Sequence, residues 1–337
     1  MKKIFDKIIF TLTFLSVFIF YTCKESNPTE IKNNSQEDIN TWANVTNGLP
    51  LGAYRIASIG SKIYVFVNYK LYSSTNDGES WKNIGIGLPD SAWVGDITGY
   101  NNFMAITTEG KGVFISSDFG ETWIKPTSSG LGLEYIHSIT MDSTFLYIGV
   151  GDDAEIYRSS DLGNSWTSFK NGFPITTSVY YPRIELLIKN NNKLFACPFF
   201  SGIYSSNDNG NNWQSMNDGL SDHSSLWSFA VSDSFYFATE ESNVEQGLYR
   251  YNFYSSTWVK ISNITDYMRH FVVAHGSTVV ASIDSVIKIS FDNGNTWNLC
   301  NKGLDDATYS LFYYAVVHDN YVFAANNYRG IWRYLLK

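Results

Sequence analysis

The sequence predicts an all-β chain folded as a seven-bladed propeller of four-stranded antiparallel blades, the ring being closed by an N-terminal strand that joins the last blade. Three observations carry this reading. Aromatic residues make up 17% of the 337 residues and charged residues only 17%, a balance that suits half-buried pleated surfaces and starves solvent-facing helices. A Ser-x-Asp-x-Gly-x-x-Trp phrase recurs along the chain, and seven tryptophans follow one another 39 to 47 residues apart, a period that marks a repeat architecture.

The N-terminus is read separately from that repeat. Lys2, Lys3 and Lys7 precede an apolar stretch from Ile8 to Phe20, the plan of an export signal. Thirteen residues fall short of the roughly 20 that a membrane-spanning helix needs. Cys23 follows Phe20-Tyr21-Thr22 and resembles the lipidated cysteine of bacterial lipoproteins, so residues 1–23 are expected to be a signal peptide with Cys23 as a lipid site. Residues 24–40 are polar and free of aromatics, as a tether would be. The propeller is assigned to residues 41–337.

The repeat appears in full as Ser116 to Trp123 around Asp118 and Gly120, Ser159 to Trp166 around Asp161 and Gly163, Ser206 to Trp213 around Asp208 and Gly210, and Ser290 to Trp297 around Asp292 and Gly294. Ser74 to Trp81 has Asn76 at the acidic position with Asp77 beside it, and Asp77 is taken as its structural acid. Tyr251 to Trp258 retains only Thr257 and Trp258. The phrase resembles the Asp-box, or BNR repeat, of sialidase-like and sortilin-like propellers. Physically it is a hairpin tip: the carboxylate bonds backbone N–H groups across the turn, Gly takes positive φ, and Trp packs on the neighbouring layer.

Seven anchors, Trp42, Trp81, Trp123, Trp166, Trp213, Trp258 and Trp297, give seven blades. Trp42 qualifies because the text from Trp42 to Gly48-Leu49-Pro50 repeats that from Trp81 to Gly87-Leu88-Pro89. Between anchors come three more strands, as in residues 54–59, 62–67 and 71–74, the second being nearly all apolar, as expected of a strand covered on both faces. After Trp297 only three strands remain, near 311–317, 321–325 and 330–334, so the Trp42 strand completes the seventh blade and removes the open edge.

In such a blade the box hairpin shares a face with the turn between strands one and two, and the opposite face carries the remaining loops. On that loop face the sequence offers Arg55, Trp93, His137, Arg183, Trp227 and Arg269 as binding candidates, accompanied by Tyr54, Tyr135, Tyr181, His270 and Tyr313. Two readings stand: a sugar or peptide platform, or aromatics that pack the channel and seams. Arg55, Arg183 and Arg269 are similar in number to the three arginines with which sialidases hold a carboxylate, and Tyr54-Arg55-Ile56-Ala57 resembles that family's Arg-Ile-Pro entry without its proline. Sialidases are six-bladed, and no Tyr nucleophile with a Glu partner is fixed here.

Acids fall in loops of the same face: Glu109, then Asp152, Asp153 and Glu155, then Glu240, Glu241 and Glu245, then Asp284. A glycoside hydrolase needs two carboxylates flanking the bond, and Asp152, Asp153, Glu240 and Glu241 are the candidates for it. The seven-blade count also resembles that of the photosystem II assembly factors, which carry basic patches. This chain has a net charge of −8, which argues against nucleic acid and anionic membrane surfaces as partners, leaving only an N-terminal lipid as a membrane attachment. No His-Glu-x-x-His, nucleophile elbow or Gly-rich phosphate loop is present, so neither a metal nor a cofactor is expected. Cys197 and Cys300 read as two buried free thiols. The sequence therefore points to an exported monomer, either a cell-envelope lipoprotein or a secreted protein. Its expected role is a non-catalytic binding module for a glycan or protein ligand, with a glycoside hydrolase as the alternative.

Overall fold

The computed structural model describes residues 40–336 apart from 92, 129–130, 132–134, 152–154, 170–182, 222–223, 242–245, 266–269, 285, 305–311 and 327–328. The predicted signal peptide, Cys23 and all of the tether but Asn40 lie outside these residues. The fold is an all-β seven-bladed propeller. Six sheets have four antiparallel strands each and one has three. The inner strands are Ala53–Ile59, Val94–Tyr100, Ile136–Met141, Ile184–Asn190, Ser225–Val231, Val272–His275 and Phe312–His318, and each touches the inner strand of the next blade until the last meets the first.

The three-stranded sheet belongs to blade 2. Its fourth strand is reduced to a bridge between Ile115 and Ile124. In blade 1 the equivalent strand, Lys82–Ile84, pairs through Ile84 with Leu71, but the corresponding place in blade 2 is Pro126, which has no N–H to give the ladder.

Ring closure runs as expected: Ala43 pairs with Arg333 and Asn44 with Trp332, which adds the N-terminal strand to the outer edge of blade 7. The apolar core is divided accordingly. Seven buried clusters each draw on two neighbouring blades, so the hydrophobic stabilisation resides in the seams. Trp42 sits in the seam between blades 6 and 7 with Phe271, Cys300, Phe312 and Tyr334.

A second stitch repeats from seam to seam. The N–H groups of Trp42, Trp123 and Trp258 donate to the carbonyls of Lys302, Ile86 and Asp218 in the preceding blade. Each acceptor precedes a glycine. Gly87 and Gly303, at φ +95° and +91°, lie so close to the next blade that a Cβ would overlap the carbonyl oxygen of Trp123 or Trp42, which is why the Gly-Leu text recurs after the Trp strands.

The box hairpins are held by short, local bonds. In blade 2 the Ser116 hydroxyl donates to Asp118 Oδ1 (2.8 Å) and accepts from the Gly120 N–H (2.9 Å), while the carboxylate accepts from the Thr122 N–H (2.9 Å) and hydroxyl (2.5 Å). Blades 3, 4 and 6 repeat the scheme around Asp161, Asp208 and Asp292. These donors hold Asp118 below the usual carboxylate range and bring Asp161, Asp208 and Asp292 down to about 2. Blade 1 corrects the sequence assignment. Asn76, not Asp77, takes the box bonds, accepting from the Ser74 hydroxyl and the Ser80 N–H at 3.0 Å each. Asp77 is displaced onto the tip at φ 53°.

The tryptophans themselves divide into two groups. Trp123, Trp166 and Trp297 donate Nε1 to their own box glycines, Gly120, Gly163 and Gly294. Trp42, Trp81 and Trp258, whose boxes are missing or altered, donate instead to Cys300, Val45 and Met216 of the preceding blade. Trp213 is buried in the seam between blades 3 and 4. Cys197 and Cys300 are free and buried, as read from the sequence.

Candidate functional site: the mouth of the channel on the loop face

The inner strands reach the loop face through a shared irregularity. In six of the seven, the ladder to the second strand skips one residue near the start, namely Tyr54, Gly95, His137, Glu185, Trp227 and Tyr313. A bulge of this kind leaves a residue unpaired, re-aims its side chain and tightens the twist, and bulges concentrate at barrel rims and next to sites. The remaining inner strand, that of blade 6, starts beyond the equivalent place, where buried His270 sets its Nδ1 3.1 Å from the Ser282 carbonyl oxygen.

The bulges gather charge at the mouth. Asp96 follows the Gly95 bulge and links two blades, accepting from the N–H of Ile97 (2.9 Å) and, across the seam, of Ile139 (3.2 Å). It keeps some accessible surface, although it lies deep in the ring, and burial raises its carboxyl above the usual range while Arg55 and the two N–H groups pull it back. His137 is held below the ordinary histidine value, first by burial; Glu185 and Glu109 oppose that shift, and Arg183 and Arg55 reinforce it. Four blades therefore meet electrostatically at one place.

Both arginines described here are engaged. Arg183 Nε donates to Glu185 Oε2 at 2.6 Å and its guanidinium lies 3.9 Å over the Phe199 ring. Arg55 lies 4.3 Å over Tyr314 of blade 7. Arg269 lies outside the described residues, so a three-arginine clamp has two described members, and the charge of one is answered by Glu185.

Asp152 and Asp153 also lie outside the described residues. Glu240 and Glu241 are consecutive in one strand and project to opposite sides of the blade, so they do not face each other as an acid and base pair would. Glu241 accepts the Trp227 indole N–H. Glu240 is 2% exposed; one oxygen accepts the Ser221 N–H at 2.9 Å and the other has no hydrogen-bond partner among the described residues.

Exposed apolar side chains on this face cluster over blades 1 to 3. Trp93 is 45% and Tyr135 53% exposed, and Tyr69 meets Trp93 edge-on at 5.6 Å between centroids. The sequence reading passed over Tyr69. It occupies the turn between strands two and three beside Asn68, both at positive φ (65° and 47°). An aromatic in that conformation is uncommon, but only the pairing of the flanking strands reveals it.

Two clefts open on the opposite, box-bearing face. One, of about 680 Å³, lies between the strand-one turns of blades 4 and 5 and includes Lys193, Asn207, Tyr236 and Phe253. The other, of about 430 Å³, lies between blades 2 and 3 and includes Tyr100, Phe103, Met141 and Leu162. Neither reaches the residues at the channel mouth.

Residues 13–244 match the DUF6242 beta propeller domain. The chain belongs to this family. The blades continue beyond the matched span to residue 335. No curated protein matches the chain. Among solved structures, YCF48 bound to D1 peptide is similar at a TM-score of 0.67 and 15% identity, over 89% of this chain and 97% of that one. YCF48 from Cyanidioschyzon merolae gives 0.64 and 14%, over 88% and 98%. The GH74 xyloglucanase from Xanthomonas campestris gives 0.63 and 13%, over 87% of this chain but 53% of that enzyme. At such identities the likeness is one of fold, and family membership adds no reaction to the residues at the mouth.

Proposed function

We propose that this member of the family is a non-catalytic binding module that takes a polypeptide segment of a partner protein across the loop face. The observation that carries the reading is the exposed aromatic rings on this face, Tyr69 against Trp93 and Tyr135 on the next blade, beside charges already answered within the protein, among them Arg183 with Glu185 and Glu241 with Trp227. Large amphipathic rings at the surface are the side chains that anchor protein interfaces. Around the mouth Arg55 and Arg183 stand with Asp96, Glu109, Glu185 and Glu241, while Lys70 and Lys111 lie at the turns between strands two and three on the same face; the net charge of −8 of the whole chain favours a segment with basic side chains. YCF48, of the same fold, was solved with a peptide bound. Export and lipidation at Cys23 belong to this proposal and would place the module in the cell envelope; mass spectrometry of the mature N-terminus tests both.

Arrays of peptides and glycans probed with the full-length chain test the reading. Retention of basic peptides, weakened at least tenfold by Trp93→Ala together with Tyr135→Ala, is the expected result. Unchanged retention by that double variant, or retention of glycans alone, overturns it.

A second reading, polysaccharide hydrolysis, draws on Glu240, a buried carboxyl with one oxygen that has no hydrogen-bond partner among the described residues, because such hydrolysis needs carboxyl groups set at the bond that breaks. Turnover of a polysaccharide panel, abolished by Glu240→Gln, would establish it.

A further inference from the structure

The seam that closes the ring, between blades 7 and 1, brings together three potential ligands that the chain order keeps apart. Asp77 is the displaced tip of the altered box in blade 1, His318 ends the inner strand of blade 7 and Asp319 opens the turn after it. One ligand atom from each lies within 4.8 Å of the others. The imidazole is 5% exposed, and its Nδ1 lies 2.9 Å from the Ser58 hydroxyl of blade 1. Donation from Nδ1 to that oxygen leaves Nε2 as a lone pair, which makes no hydrogen bond among the described residues; Asp319 Oδ2 stands 3.9 Å from it. A histidine oriented through one ring nitrogen, with the other left free toward carboxylates, is the usual arrangement of a metal ligand with its supporting hydrogen bond.

The altered box explains why Asp77 is free to serve. In the intact boxes the carboxylate is consumed by the hairpin, as Asp118 is by Thr122 and Ser116. In blade 1 Asn76 does this work through its amide, and the Asp77 carboxylate takes no box bond among the described residues. Arg333 beside it donates to the Asp77 backbone carbonyl (2.7 Å) and pairs with Glu79 (2.6 Å). Asp77 and Asp319 thus bring two carboxylates to one imidazole.

We propose that Asp77, His318 and Asp319 bind one Zn²⁺ ion that staples blade 7 to blade 1. One imidazole with two carboxylates suits zinc, with water in the fourth position, whereas Mg²⁺ and Ca²⁺ favour all-oxygen shells. Bonds of about 2.1 Å allow ligand atoms to stand about 4.2 Å apart at most. Asp319, whose side chain is 78% exposed, turns inward to close the shell. No metal spacing is visible along the chain because the ligands come from distant segments, residue 77 and residues 318–319, and meet only when the ring closes.

Calorimetry and thermal melts of the metal-free full-length chain, with Zn²⁺ as the probe, test this. One equivalent should bind, and a hundredfold excess over Kd should raise the melting temperature by about 5 °C. Asp77→Asn and Asp319→Asn should each weaken binding at least tenfold and remove the rise. Both variants keep the fold in reach, since Asn tolerates the positive φ of these two positions and the box bonds belong to Asn76. His318→Gln serves as a third variant, interpreted only if its metal-free melt matches that of the parent. Absence of binding by the parent, equal binding by Asp77→Asn and Asp319→Asn, or equal stabilisation by Ca²⁺ overturns the proposal.

Discussion

Replacing Trp42 by alanine tests whether the N-terminal strand holds the ring. The indole is 2% exposed, donates Nε1 to the Cys300 carbonyl at 2.8 Å, stacks on Phe312 at 5.9 Å and tilts against Tyr334 at 5.4 Å. A tryptophan buries about 150–250 Å², which at about 25 cal/mol/Å² is about 4–6 kcal/mol, and core Trp→Ala changes cost about 3–5 kcal/mol. A loss of about 5 kcal/mol, spread over a domain of this size, lowers the melting temperature by about 10 °C. Differential scanning fluorimetry at a fixed scan rate measures it, with Tyr254→Ala, a fully exposed ring, as the silent control. A local probe separates seam opening from general weakening. Burial raises the Cys300 thiol to about 11, and Cys300 shares the Trp42 cluster, whereas Cys197 lies in the seam between blades 4 and 5. Trp42→Ala should therefore let a thiol reagent reach Cys300 before Cys197, read by mass mapping of the labelled peptides. A melt lowered by less than about 3 °C, or equal labelling of the two cysteines, refutes closure by this strand.

Three more expectations follow from the same contacts. The box carboxylates titrate below their unfolded value of 3.8, at about 2 for Asp161, Asp208 and Asp292, so their stabilisation is complete above pH 4 and is lost as pH falls from there toward 2; Asp208→Asn should flatten the acid limb of a melting-temperature profile, and an unchanged limb counts against this account. His137 should titrate below 6.5 in an NMR titration, and Glu185→Gln, which removes the charge that opposes the shift, should lower it further; a rise would contradict the arrangement at the mouth. Gly303→Ala should cost more than Gly60→Ala, because both glycines have positive φ but only the Cβ at 303 meets the Trp42 backbone, whereas Gly60 faces open space. The difference, about 1–3 kcal/mol, is read from denaturant midpoints.

The scaffold was legible because its determinants are local. Within a box, Ser116, Asp118, Gly120 and Thr122 bond one another across no more than four residues, so their spacing in the chain is their geometry. The strand predicted at 62–67 is Lys62–Val67 in the structure, and that predicted at 330–334 is Gly330–Leu335. Trp42 was found by its text alone. Where one residue departed from the phrase, local reasoning chose wrongly: Asp77 has the expected charge, but Asn76 has the expected position, and position decides which side chain reaches Ser80. Pro126 was visible too, yet its effect on blade 2 follows only from the register it would have had to share with Val113.

The channel mouth was legible only as a set of residue types. Arg55, His137, Arg183 and Trp227 were found there, but what each does depends on partners in other strands: Arg55 on Tyr314, Arg183 on Phe199, Trp227 on Glu241. The bulges that bring them out are properties of a pair of strands, and a skipped residue such as His137 or Glu185 has no marker in its own segment. This division has a physical consequence for how such a protein varies. Boxes, seam tryptophans and the glycines beneath them are tied to the fold, so changing them costs stability at once. A bulge residue surrenders no ladder bond when its side chain is exchanged, so the mouth can be rewritten residue by residue on an unchanged ring. The site therefore has to be sought in pairs such as Trp227 with Glu241, which no repeat phrase contains.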